Sequence, residues 1–204
     1  EKLVAARMVD AMDFLMTHRL NSQYGLIIGA TTADWGDVQP EHGWGVDLDN
    51  NTHPAIDIYD NAMFIIAMDN LMEIVPETKT RFGEIRKSIA ENCRKHLWDA
   101  NSQKFIPHIY LEKGSPFPPE FDENNIFYFG GTAIAIEAGL LSRDEIKSSL
   151  SEMIKRVKEA GAPSIGLTLY PPYPEGSFPN KIMNPVYSYQ NGGDWTWFGG
   201  RMIQ

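Results

Sequence analysis

The stretch AIDIYDNAMFIIAMDNLMEIV, residues 55–75, decides how the fold is read. Its apolar positions, from Ile56 and Ile58 through Phe64, Ile65 and Ile66 to Leu71 and Met72, leave only a narrow polar strip. A helix apolar on most sides is buried between layers. Pro76-Glu77-Thr78 then turns the chain. Residues 80–98 place Phe82, Ile85, Ile89, Cys93 and Leu97 on one stripe, with Arg, Lys and Glu opposite, the pattern of a helix with one face to water. The pair recurs. Residues 126–141 are nearly free of charge and rich in Gly and Ala, and 142–159 are amphipathic. Ser142 is the expected N-cap of that last helix, with Glu145 completing a capping box and Gly161 ending it. Residues 2–18 read as a further amphipathic helix, 105–111 as a short strand and 194–203 as the start of another helix. Inner helix, outer helix, loop, repeated, predicts an all-α fold, an (α/α)6 toroid of helical hairpins that is incomplete in this chain. An irregular helical bundle is the alternative. At 204 residues the chain, 1–204, is a single catalytic-type domain or part of one.

Composition narrows the function classes. With 43% apolar and 11% aromatic residues the chain has the material for an ordinary core. A formal charge of −9 argues against a nucleic-acid partner, which requires a basic surface. No apolar run approaches the roughly 20 residues of a membrane span, so no membrane partner is expected. The lone Cys93 falls within a helical pattern and reads as a structural thiol. The compartment stays open between cytoplasmic and periplasmic or secreted, and so does the oligomeric state. No phosphate-cradling glycine loop or nucleophile turn is present, and no cofactor is implied.

The chemistry points to the loop between residues 29 and 54. Five carboxylates, Trp35, Trp44, His42 and His53 lie between Asp34 and His53. A long loop in a compact domain is functional or disordered, and disordered segments lack aromatics. Glycoside cleavage needs a carboxylic acid to protonate the leaving oxygen and, with inversion, a second carboxylate to activate water. Flat aromatic rings beside such carboxylates suit stacking on pyranose C–H faces. A solvated loop or a calcium site built on Asp47 and Asp49 are the competing readings, but the glycine and distal Glu of a helix–loop–helix calcium site are missing. His42 and His53 have no third matching ligand, so no metal site is expected. A second candidate region runs from Tyr170 to Trp195. In it Gln190 and Asn191 precede two glycines and present amides suited to sugar hydroxyls. The same Asn-Gly-Gly-Asp also reads as a plain tight turn with Asp194 as N-cap.

Two motifs carry a resemblance. Tyr189-Gln190-Asn191-Gly192-Gly193-Asp194-Trp195 resembles the Tyr-x-Asn-Gly-Gly-x-Trp motif of six-hairpin, (α/α)6-barrel glycosidases and phosphorylases, neutral invertases among them. Ala33-Asp34-Trp35-Gly36-Asp37 resembles the acid-bearing Ala-Asp-Trp-Asn-Asp of cellobiose-type phosphorylases, with Gly36 in place of Asn. The resemblance implies Asp37 as general acid and Trp35 as a subsite wall. It places Glu175 where related invertases carry a catalytic Glu. Asp34, Trp44, Tyr189, Gln190, Asn191 and Trp195 would line the sugar subsites. The implied activity is glycoside hydrolysis with inversion on a carbohydrate substrate. A phosphorylase, with Arg201 as the nearby cation, and a non-catalytic carbohydrate-binding protein are the alternatives.

Overall fold

The computed structural model describes residues 2–183 and 185–202. Among them six α-helices follow one another: α1 (Lys2–His18), α2 (Ile58–Ile74), α3 (Lys79–His96), α4 (Phe129–Glu137), α5 (Arg143–Ala160) and α6 (Thr196–Arg201). Nine short strands intervene: β1 (Leu20–Asn21), β2 (Leu26–Ile27), β3 (Gly29–Ala30), β4 (Pro54–Ile56), β5 (Trp98–Asp99), β6 (Lys104–Phe105), β7 (Ile109–Tyr110), β8 (Phe127–Tyr128) and β9 (Leu169–Tyr170). They pair antiparallel into four small sheets, ordered β1-β2, β3-β4-β7, β5-β6 and β8-β9.

These sheets overturn the all-α toroid. The chain is mixed, 47% helical and 13% strand. Strands of two or three residues are too short to show the alternation by which a strand is read from sequence. Most of their partners are remote in sequence: Ala55 of β4 faces Gly29 on one side and Tyr110 on the other. The single strand expected at 105–111 is divided between two sheets, β6 pairing with β5 and β7 with β4. Pro107, with no N–H to donate, lies at the break.

The helices themselves fall close to their expected places. α2 begins at Ile58 because Asp57, extended at ψ 170°, accepts the Asp60 N–H at 2.8 Å and so caps the helix. Pro76 follows its end. α5 carries the complete capping box between Ser142 and Glu145, and Gly161 ends it in the left-handed conformation at φ 65°. The main core packs α2 against α1, α3 and α4 through Phe64, Ile65, Met68, Phe82, Ile89 and Ile134. Each such side chain contributes about 1.5–3 kcal/mol by leaving water. Cys93 is buried there as a free thiol, and burial pushes it up to about 12, so it is inert packing. A second cluster gathers Phe117, Tyr128, Tyr173 and Phe178, and a third Phe127, Phe129, Met153 and Phe198. No helix among the described residues is long and apolar enough to cross a membrane.

Two buried polar devices fix the layers. Asn61, fully buried on α2, accepts the Ile27 N–H at 2.7 Å and donates to the carbonyls of Ile27 and Asp57 at 3.1 and 2.8 Å. It thereby completes the free edge of β2. Glu123 accepts from His108 at 2.8 Å, from the Tyr110 hydroxyl at 2.7 Å and from the Tyr173 hydroxyl. Burial acts to raise the Glu123 carboxyl, but His108 and the two phenols outweigh it and hold the group below its ordinary value. Tyr128 continues this knot, sharing a 2.6 Å hydrogen bond with Tyr173 and donating to the Thr32 carbonyl at 3.2 Å. Replacing Asn61 by Ala strands the Ile27 amide and carbonyl in the core. Urea unfolding is expected to register a loss of about 2–4 kcal/mol, a sum of two unmet backbone groups. A loss under about 0.5 kcal/mol, the range of a surface substitution, would refute the role given to Asn61.

Candidate functional site

The site begins with a turn. Gly36 N–H donates to the Ala33 carbonyl at 3.1 Å, and Asp34 inside that turn is left-handed at φ +54°. Asp tolerates this region better than most residues. The turn drives the Asp34 side chain into the protein, where it is 2% exposed. Its two oxygens accept the Gly130 N–H at 2.7 Å and the Gly131 N–H at 2.8 Å. Those amides are the unpaired donors at the start of α4, whose own N-cap Tyr128 offers no side-chain bond. A carboxyl almost a hundred positions earlier in the chain thus caps the helix. The glycines are required by closeness. A Cβ on Gly130 would lie 2.3 Å from Trp35 Cδ1, and one on Gly131 would lie 2.7 Å from Ile58 Cγ2 and 2.8 Å from Asp34 Oδ1. Gly36 has the same kind of reason, since its Cβ would meet the Ala33 carbonyl at 2.9 Å. That contact explains a glycine where the resembling motif has Asn.

The second motif meets the first. Gln190 is buried and its Oε1 accepts the Asp37 N–H at 3.1 Å. The Tyr189 hydroxyl donates to the Asp37 carboxylate, 3.0 and 3.2 Å from its oxygens. Tyr189 itself sits at φ +48°, a strained conformation for a bulky residue and one that commonly marks a functional loop. Trp195 donates its indole N–H to the Tyr189 carbonyl at 2.8 Å and packs edge-on against Trp35 at 5.1 Å. So Asp34, Trp35, Asp37, Tyr189, Gln190 and Trp195 form one connected cluster. Asn191 plays a different part. Fully buried, it exchanges hydrogen bonds of 2.7 and 3.0 Å with the Tyr173 backbone. Asp194 does not cap α6, whose N-cap is Trp195; it accepts from Ser164 instead. Trp44 is 67% exposed and Glu175 is exposed, and neither lines the cavity described next. Asp49 accepts the Asn51 and Thr52 N–H groups at 2.7 and 3.2 Å, closing its own turn. No group of three His, Cys, Asp or Glu among the described residues is placed to hold a metal ion.

Beside the cluster lies a cavity of about 580 Å³, within the range of small-molecule sites. The loop supplies Asp34, Trp35 and Asp37, α2 supplies Tyr59, Asp60 and Met63, and Arg19 enters from the end of α1. The first turn of α2 is strongly acidic. Burial, then the neighbouring Asp60 and Asp34, raise the Asp57 carboxyl well above its usual value. Burial raises Asp34 to about 8 against the two α4 amides that favour its charge. Tyr59 is pushed up to about 12 by burial and by Asp34 and Asp60. Asp60 is accessible to solvent yet enclosed by protein on most sides. Water reaches it through the cavity, while the surrounding walls raise its carboxyl and His108 partly opposes the rise.

Asp60 and Arg19 are the charged lining residues that sequence reasoning passed over. A charge at Asp60 within the apolar run 55–75 was the available signal; Arg19, after a helix end, gave none. Arg201, the cation expected nearby, is paired with Glu137.

Two outcomes follow for the contact between Asp34 and α4. Gly131→Ala is expected to cost roughly 1–3 kcal/mol in urea unfolding, the usual penalty of overpacking. Asp34 also gives a pH signature. Its folded value, about 8, lies above its unfolded value of 3.8. The folded chain therefore holds a proton that the unfolded chain has released, and stability from this group is full below pH 3.8 and lost as pH rises through about 8. Relative to the non-titrating Asp34→Asn variant, the wild type should lose stability steadily between those limits and level off above; a rising difference would contradict the buried, proton-holding carboxyl.

Neither a scan against protein-family models nor a search of curated proteins returns a match to the chain, so the functional reading rests on the geometry and chemistry of this site.

Proposed function

We propose that the chain cleaves a glycosidic bond in this cavity, with Asp37 as the proton donor. The observation that carries the reading is the meeting of two stretches remote in sequence at one carboxyl: Tyr189 and Gln190 hold Asp37 beside the indole of Trp35. Asp37 would transfer its proton to the glycosidic oxygen as the C1–O bond breaks. The Tyr189 hydroxyl donates to the carboxylate that remains, stabilising the charge that Asp37 acquires in the step. Trp35, steadied by edge-on contacts with Trp195 and Trp197 at 5.1 and 5.6 Å, supplies an immobile flat surface for a sugar ring. The motif resemblance to six-hairpin glycosidases supports the same assignment, while the ring architecture of that family is not carried over to this chain.

Arg19 favours a second reading. It is the cation lining the cavity, and no ion pair joins it to a carboxylate among the described residues. Phosphorolysis needs such a cation for the attacking phosphate and no base at all. Release of sugar from a panel of oligosaccharides and aryl glycosides, with and without inorganic phosphate, separates the two. Turnover without phosphate is expected. Asp37→Asn should lower it by roughly 10²–10⁴-fold, the usual contribution of a general acid, with the unfolding midpoint unchanged. Tyr189→Phe should lower kcat with little change in KM. Full activity of Asp37→Asn on a substrate with a poor leaving group would remove Asp37 from the mechanism.

A further inference from the structure

An inverting hydrolysis needs a second carboxylate to take a proton from water. Besides Asp37, the carboxyls lining the cavity are Asp34 and Asp60. Asp34 is fully engaged, both oxygens accepting backbone amides in a buried position. Asp57, the N-cap of α2, is buried and is not a lining residue. Glu175 is exposed and lies outside the lining. Asp60 alone of this set combines a place in the lining, access to water and a carboxylate with no hydrogen-bond or ion-pair partner among the described residues.

We propose that Asp60, from the first turn of α2, is the second catalytic carboxyl of the site and activates the water that attacks the anomeric carbon. The inference rests on the glycosidase reading above. Asp60 has the support this role requires. Its backbone N–H is fixed by Asp57 at 2.8 Å, so the side chain leaves a rigid helix start. Gly29 of β3 makes room for it: a Cβ there would stand 2.3 Å from Asp60 Oδ2. Asp57 and Tyr59 on its own helix, His108 before β7 and Arg19 at the end of α1 are the titratable and charged groups around it. The enclosing walls raise its carboxyl above the ordinary carboxylate value, which makes it a stronger proton acceptor than a free aspartate. The step balances. A water O–H bond breaks and its proton passes to Asp60, while the water oxygen bonds to the anomeric carbon. On the other side the C1–O bond breaks and the leaving oxygen takes the Asp37 proton. The pair ends with Asp60 protonated and Asp37 ionised, and exchange with solvent restores it.

The test uses Asp60→Ala and Asp60→Asn in aryl glycoside hydrolysis, with sodium azide added as a small anionic nucleophile. Each variant should fold as the wild type does, since the carboxylate it removes makes no hydrogen bond. Each is expected to lose at least about 100-fold in kcat. For Asp60→Ala, azide should restore turnover at least tenfold and yield a glycosyl azide, a product that no purely structural role would generate. Wild-type turnover that Asp37→Asn abolishes but Asp60→Ala leaves intact would overturn this inference and spare the glycosidase reading. A lost activity that azide does not restore, with no glycosyl azide formed, would likewise overturn it. No turnover by the wild type on any glycoside would overturn both.

Discussion

The contact between Asp34 and the Gly130 and Gly131 amides in the first turn of α4 is the constraint on which the site depends. Burying a carboxyl is expensive, and two backbone donors at a helix N-terminus are among the few groups that offset it. Once that bond is made, much else follows. The loop must enter the protein, so Asp34 takes a left-handed turn. The start of α4 must admit it, so Gly130 and Gly131 stand where better helix formers would otherwise serve. Trp35, next along the turn, is laid against Gly130 and the Trp195 ring, and Asp37 emerges two residues later at the cavity. The position of the proposed acid is thus inherited from a structural carboxyl. From behind, the Glu123 knot braces the same loop through Tyr128 and the Thr32 carbonyl.

Four aspartates in this small volume have four different roles, and surroundings rather than residue type assign them. Asp34 caps α4 from afar, and Asp57 caps α2 locally. Asp37 is exposed at the cavity and receives the Tyr189 hydroxyl. Asp60 is wet but enclosed, with no donor of its own.

The helices were legible in the sequence because burial acts on them with a period of 3.6 residues, and the Ser142–Glu145 box and Gly161 mark their ends by local chemistry. The sheets were not, because β4 and β8 are too short to alternate and pair with partners chosen by the tertiary fold. In the site, Asp37, Trp35, Tyr189, Gln190 and Trp195 were legible as motif residues, and the structure brings them together. Asn191 belongs to the same motif, yet its amide serves the Tyr173 backbone, a distinction that motif matching cannot make. Glu175 follows from the resemblance to invertases and lies near that motif in sequence, whereas Asp60, a carboxyl that lines the cavity, sits on the polar strip of a helix read as buried between layers. Closeness along the chain and closeness in space diverge where a long loop folds back.

The most direct measurement of the central claim is a crystal structure of the Asp37→Asn variant soaked with an oligosaccharide that the wild type degrades. A sugar ring is expected in the cavity against Trp35, with its glycosidic oxygen within hydrogen-bonding distance of residue 37 and Asp60 facing the anomeric carbon across a water. A sugar bound only at the exposed Trp44, or a cavity that stays empty under saturating ligand, would contradict it.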